Sequence, residues 1–540
     1  MLILKFDKFK PSDILVDDTD VRYILKGYKV EMALFKGGKT AHAAPSRKRR
    51  YSDTDDEVDL VKAAKYTTGS GIDIQSGGSQ QIGAGEGVNI LNDEHAQRLE
   101  DPFDIFGVPF VNNDLERFED QYLEPTQEPT DNGPITFKWR TQGGENFDPN
   151  FSEIEEEFEI INLTTKKKTT ATDDISVINS FPITKYSSVE LKINDTVVTD
   201  SSCGNHAFHA YFQQKFSYSK SVKEEILRRT EYFFEEEADR VTRSSLEDNV
   251  NDHFRKKHEI FVANTKSVKS RTQLYLDVFN VHKLFPSDLD FEMILYRNPL
   301  NFSLMGTAGA EVRYQVKIKR IRLLLRKIMP TEPIRSLEEK LFSLGKKAYI
   351  PYSHGVLTNY VIEKGNMTKK FYDVTLKPSL PKKLFVFFIE HDAFSGVMNK
   401  NPFVWHHHNL QKITYIVDGK QHPMVPYDLN FDESDVKRGY MDLLNALGVA
   451  RSNKSVNITM DMYTKYCAVF ALDLQADFNE QIHFRKDGSV GVEFLFRKPL
   501  QKTVTVCFLS YHDFCLTFQR KPGKHNILVE KKPMNALLAD

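Results

Sequence analysis

Five clusters in the chain carry residue types that do chemistry. The run Trp405-His406-His407-His408 offers imidazoles of the kind that bind zinc or copper. A metal site would need further His or Glu ligands converging from other strands, and no acidic residue follows until Asp418, inside an Asp-Gly turn. The run reads better as a loop or strand-edge cluster. Cys203, His206 and His209 are spaced by three, which on a helix sets the outer two roughly 120° apart, so they do not converge. His391-Asp392 and His512-Asp513 have the composition of base–orienter pairs, yet neighbours along a strand point to opposite faces. No serine or cysteine stands beside them in a recognisable nucleophile setting. Gly38-Lys39-Thr40, with Ala33 five residues earlier, fits a loose phosphate-loop pattern. Glu31 interrupts the strand such a loop needs, and Pro45 with a basic cluster follows too soon for its helix. The chain reads as no enzyme, and neither metal nor cofactor is expected.

Two basic runs ask for a different chemistry. Between Arg313 and Lys327 stand seven cations and no anion: Arg313, Lys317, Lys319, Arg320, Arg322, Arg326 and Lys327. Such a strand can be a solvated face, a contact with DNA phosphates, or the partner of the acidic strand Glu153–Glu159 within or between subunits. Arg47-Lys48-Arg49-Arg50, followed by the acidic SDTDDE, has the make-up of a nuclear-import signal on an exposed arm.

The composition limits what these clusters can belong to. Lys+Arg 73 against Asp+Glu 75 leaves a net charge of −2, so the chain is not built overall to coat nucleic acid. Twelve per cent aromatic residues, with 39 Phe, lean towards strands and broad contact surfaces. Four scattered cysteines suggest no disulfide framework. Charges at Lys5, Asp7 and Lys8 break any signal-peptide core, and the longest apolar run, Leu384–Ile389, is far short of a membrane span. An intracellular, reduced, soluble protein is expected, with no membrane partner.

The elements that would position these residues are strands. In Phe151–Ile160, Ile154, Phe158 and Ile160 share one face and Glu153, Glu155, Glu157 and Glu159 the other. In Val312–Leu325 the alternation Tyr314, Val316, Ile318 slips by one near Arg320 before Ile321, Leu323 and Leu325 resume, which predicts a β-bulge or a break. Pro330 and Pro333 stop the strand, Ser336-x-x-Glu339 reads as a capping box, and a short helix runs to Gly345. A second helix is predicted from the stripe Val436, Tyr440, Leu443, Leu444, Leu447, ended by Gly448.

Internal repetition sets the plan. Phe291–Leu300 reads FEMILYRNPL and Gly491–Leu500 reads GVEFLFRKPL, with Leu295/Leu495, Arg297/Arg497, Pro299/Pro499 and Leu300/Leu500 in step. Upstream, VELKINDTVVT leads to a helix near Ala210–Tyr218, as ITYIVDGKQHP leads to Val436–Leu447. The order strand, turn, helix, strand, paired strands thus occurs twice, each time over the length of one β-sandwich. The expected fold is all-β with short helices, a double jelly roll of two tandem eight-stranded sandwiches. A flexible arm is expected over 1–130, the sandwiches over 131–330 and 348–520, a linker helix over 331–347 and a tail over 521–540.

The stretches GPITF (Gly133–Phe137), VELKINDTVVT, LPKKLFVFFIEHDAFSG (Leu380–Gly396), KNPFVW, IVDGKQHPMVPY, RGYMDLLNALG and FALDLQAD run collinearly over about residues 130–520. In these the chain resembles the double jelly-roll major capsid proteins of Polinton (Maverick) elements and adintoviruses. The resemblance implies a homotrimer acting as a pseudo-hexameric capsomer of an icosahedral shell around double-stranded DNA. It also implies a minor or penton capsid partner, a virion location, and assembly in the host nucleus or cytoplasm, with the nucleus favoured. Two rival readings are a domesticated host β-sandwich binding a carbohydrate or protein, and a cupin-like metal enzyme.

Overall fold

The computed structural model describes residues 114–199, 205–227, 252–264, 266–306, 313–375, 380–474, 488–521 and 526–534. The strands in chain order are β1 (Leu115–Leu123), β2 (Ile135–Arg140), β3 (Asn146–Asn162), β4 (Lys167–Lys168), β5 (Ile175–Val177), β6 (Tyr186–Ile193) and β7 (Thr196–Val197). After the helix α1 (His206–Ser217) come β8 (Val268–Gln273), β9 (Asp290–Arg297), β10 (Leu304–Gly306) and β11 (Tyr314–Pro330). The helix α2 (Glu332–Ser343) then leads to β12 (Lys347–Ile362), β13 (Thr368–Phe371), β14 (Lys383–Glu390), β15 (Leu410–Val417) and β16 (Lys420–His422). Past α3 (Lys437–Ala446) follow β17 (Val469–Asp473), β18 (Val490–Phe496), β19 (Val504–Arg520) and β20 (Ile527–Pro533).

Strand order makes the duplication concrete. In the first half β1-β11-β3 continues to β8 on the free side of β3, opposite the sheet β2-β9-β6-β7. In the second half β12-β19-β14-β17 stands opposite β13-β18-β15-β16. Taken in chain order, eight strands of each half occupy matching places, which is the jelly-roll arrangement twice over. The repeated peptides are β9 and β18, each central in its sheet. The hairpins match as well: Asn194-Asp195 joins β6 to β7, and Asp418-Gly419 joins β15 to β16. All four turn residues have positive φ, as the tightest hairpin turns require.

Alternation builds each core. In the first sandwich Trp139 stacks on Phe291 with centroids 4.9 Å apart, and Phe147 meets Phe279, Phe285 and Phe291 edge-on. In the second, Phe388 meets Phe494 and Phe496 edge-on. The slip near Arg320 is a bulge: Ile318 pairs with Phe158 and Arg320 with Glu157, leaving Lys319 as the extra residue.

Several expectations change. Residues 1–113 lie outside the described residues, but β1 falls within the expected arm and forms the edge of the first sandwich, paired with β11 over Leu115–Leu123. Every residue of β1 but the last is exposed, so no alternation marks it as a strand. The tail also contains a strand, since β20 pairs with β19 over Phe514–Arg520. Ser336-x-x-Glu339 caps nothing: α2 starts at Glu332 with Pro333 in its first turn, and Ser336 donates to Glu332 within the helix. In the charged segment Lys220–Arg243, Lys220–Glu225 is helical, and residues 228–243 lie outside the described residues.

Candidate functional site

Where they are described, the side chains of the candidate clusters turn to separate partners. Gly38-Lys39-Thr40, Arg47–Arg50 and Cys203 lie outside the described residues. Trp405 is buried, and the three histidines after it occupy the loop before β15. His406 Nδ1 donates to the Lys465 carbonyl at 3.0 Å, His407 stacks on Phe431 at 4.0 Å, and His408 meets Phe388 edge-on. His391 and Asp392 lie in a helical turn, not on a strand, and point to separate partners. His391 Nδ1 is 3.0 Å from Thr505 Oγ1, and Asp392 pairs with Lys400 at 3.0 Å. His512 is bonded to Ser510, whereas Asp513 pairs with Lys382. Among the described residues, no group of three or more His, Cys, Asp or Glu is placed to hold a metal. No described helix is long and apolar enough to cross a membrane.

The basic strand finds its counterions inside the chain. Antiparallel pairing sets β11 beside the acidic strand β3, so that Arg322 pairs with Glu155 and Lys319 with Glu159. On the other flank β1 and its following turn supply Asp120 to Arg326, at 2.7 Å, and Glu124 to Arg320, at 3.0 Å. Lys327 pairs with Glu145 at 3.3 Å. Arg313 and Lys317 are exposed. Across β3, Arg271 pairs with Glu153 and Lys269 with Glu157. Acids and bases therefore alternate across this outer face. Exposed pairs of this kind are worth about 0–1 kcal/mol each, so the face is balanced in charge rather than strongly held.

The seam between the two sandwiches is the best-built surface in the chain. The helix α1, HAFHAYFQQKFS, is buried on nearly every side, its aromatic residues together with the polar His209, Gln214 and Lys215. Phe208 stacks on Phe394 at 5.2 Å, Tyr211 on Phe403 at 4.1 Å and Phe216 on Trp405 at 5.9 Å, while Phe212 meets Phe385 at 5.0 Å. All of these partners belong to the second sandwich. Each buried aromatic of this size contributes on the order of 1.5–3 kcal/mol, so the set decides how the sandwiches sit.

A polar clasp lies beside this wedge. Asp277 of the first sandwich accepts from Gly355 N on β12 at 2.8 Å, from Gln213 on α1 at 2.8 Å, and from His354 Nδ1 at 3.2 Å. Its other neighbour, His209 Nε2, is 3.5 Å away. Burial pushes the Asp277 carboxyl up, but the two histidines and the Gly355 amide outweigh it and hold it below the usual range. A Cβ at position 355 would stand 2.6 Å from His209 Nε2, so any larger residue there must displace that imidazole. The seam opens into a cleft of about 980 Å³ bounded by Phe212, Tyr352, Lys382, Phe385 and Asp513. Nothing in the sequence marks Asp277, which stands alone between β8 and β9.

Comparison with known proteins fits this geometry. A chain of the Sputnik virophage structure matches with a TM-score of 0.51 at 11% identity, over 84% of this chain and 93% of that one. The fold is a double jelly roll. The mavirus major capsid protein matches with a TM-score of 0.47 at 10% identity, over 86% of this chain and 99% of that one. By sequence, a Caenorhabditis elegans protein described as "Uncharacterized protein F54H12.2" is 20% identical over 352 residues, 64% of this chain and 80% of that protein. No family model matches.

Proposed function

We propose that the chain is a major capsid subunit of a Polinton- or adintovirus-type element and has a structural, non-enzymatic role. Three copies form a pseudo-hexameric capsomer, and capsomers tile an icosahedral shell around double-stranded DNA, completed by a minor capsid protein at the vertices. The observation that carries this reading is the repeat of one eight-stranded sandwich, strand for strand, locked to its twin through α1. A molecule with two near-equivalent bodies can place six of them in a ring from three chains. The Sputnik chain shares that fold, and the collinear stretches from GPITF to FALDLQAD support the element type. A relative in a nematode agrees with an element carried by animal genomes. The site of action is then the virion, reached through assembly in the nucleus if Arg47–Arg50 serves import.

Electron microscopy of the purified full chain tests this reading. Particles of hexagonal outline, or closed shells, are expected; a chain that stays monomeric at high concentration overturns it. One observation favours a second reading, a host β-sandwich binding protein: the cleft of about 980 Å³ at the seam could take a peptide or a sugar. That reading predicts lasting monomers.

A further inference from the structure

The two sandwiches treat the same face differently. In the second, the outer side of β14 and β19 is covered by α1, which belongs to the connection between β7 and β8 of the first sandwich. The matching face of the first sandwich, β1-β11-β3, has no such helix over it among the described residues. On it Phe118 is 57% and Tyr122 46% exposed, with Arg326 and Arg322 lying over their rings at 4.8 and 4.5 Å. Exposed aromatics beside arginine are the residues that anchor protein interfaces.

The matching connection in the second sandwich, between β16 and β17, packs on its own sandwich through the buried Leu443 and Ala446 and leaves its other side open. It carries α3, whose positions Lys437, Met441 and Asn445 form an exposed stripe at helical spacing. Just before it, Met424 and Val425 are 92% and 67% exposed between Pro423 and Pro426. Among the described residues there are thus a helix laid on the sheet of the other sandwich, a sheet face with no helix over it, and a helix with one side packed and the other exposed, all related by the internal repeat.

We propose that α3 and the Met424-Val425 turn of one copy cover the β1-β11-β3 face of the next copy. The contact that joins the sandwiches within a chain then recurs between chains. A second copy is the occupant because the internal repeat gives its α3 the place that α1 holds within the chain. The charge balance of the face points the same way, since a polyanion would need an unpaired basic surface. Such a contact joins unlike surfaces head to tail, which closes into a ring when the rotation permits. This inference rests on the capsid reading and names the surface through which its subunits meet.

Sedimentation of the full chain, with Tyr122→Glu, Met441→Glu and the control Tyr372→Glu, tests it. Tyr372 is highly exposed and lies on neither surface. Wild type and control should associate alike, while each of the other two associates at least about tenfold more weakly, about 1.4 kcal/mol, with an unchanged unfolding midpoint. Tyr122→Ser and Met441→Ser, milder changes at exposed positions, should weaken association in the same order. If the Glu variants associate as tightly as wild type, the inference is overturned while an oligomeric wild type leaves the capsid reading standing. A monomeric wild type overturns both.

Discussion

His206, His407 and His408 enter the folded chain with little room for a second proton. Burial is the largest cause in each, followed by a neighbouring imidazole, and together they pull the three from about 6.5 to about 3, 4 and 3. Nε2 of His206 and of His408 has no hydrogen-bond partner among the described residues. The unfolded chain takes up protons as pH falls below about 6.5, whereas the fold does not until about 4 or 3. Stability is therefore full above pH 6.5 and is lost as pH falls through that window, with a slope of up to ~1.4 kcal/mol per pH unit for each histidine. The urea midpoint should drop steeply between pH 7 and pH 5, and His408→Gln should make the drop shallower. A midpoint that does not move over that range would show these imidazoles to be accessible. At this scale the sequence was least legible. Glu156 sits among Glu153, Glu155 and Glu157 and looks like one more surface acid, yet its parity is that of Ile154 and Phe158. It is fully buried, paired with Lys185 and bonded to Tyr186 at 3.1 Å. Burial lowers the pKa of Lys185 despite that carboxylate.

Elements were far more legible, because periodicity survives wherever one face is wet and the other dry. The bulge in β11 could be placed from apolar spacing alone, and α3 lies at Lys437–Ala446, within the predicted stripe. β1 escaped notice because LERFEDQYL is wet on both faces, and β20 because its strand begins after a break in a lysine-rich tail. The His391-Asp392 pair was assigned the wrong element: β14 ends at Glu390 and a helical turn follows. The bulge also yields a sharp expectation. Deleting Lys319 removes the extra residue and leaves Ile318, Ile321 and Leu323 facing inward in unbroken alternation. That deletion should cost no more than ~1 kcal/mol, the worth of its ion pair with Glu159. Deleting Arg322 instead leaves no register that keeps those three on one face, and should cost several kcal/mol, of the order of burying a leucine. Denaturant titration of both deletions decides; equal stability would show that the bulge sets no register.

For the whole molecule, the repeat was legible and the way its halves are joined was not. FEMILYRNPL and GVEFLFRKPL do mark equivalent strands, but contacts between α1 and Phe385 or Trp405 link residues far apart in sequence with no local pattern. The same holds for β20. It continues the sheet of the second sandwich while its Ile527 and Val529 carbonyls accept from Asn194 and Thr196, at the β6-β7 turn of the first. Both Ile527 and Val529 are buried. A chain ending at Lys521 should therefore lose about 3–6 kcal/mol, the burial of two aliphatic side chains, and should be cut faster by protease between its sandwiches. Unfolding and proteolysis rates matching the full chain would show that β20 ties nothing together.

That last strand has a consequence for the order of events in a cell. A ribosome makes the β6-β7 turn more than 300 residues before the strand that lies against it. Once β11 has followed, the first sandwich can form, but it waits for its far-off fastening. Until β20 emerges, the nascent chain lacks the strand that touches both sandwiches. Synthesis itself then sets the order in which the two sandwiches are fastened.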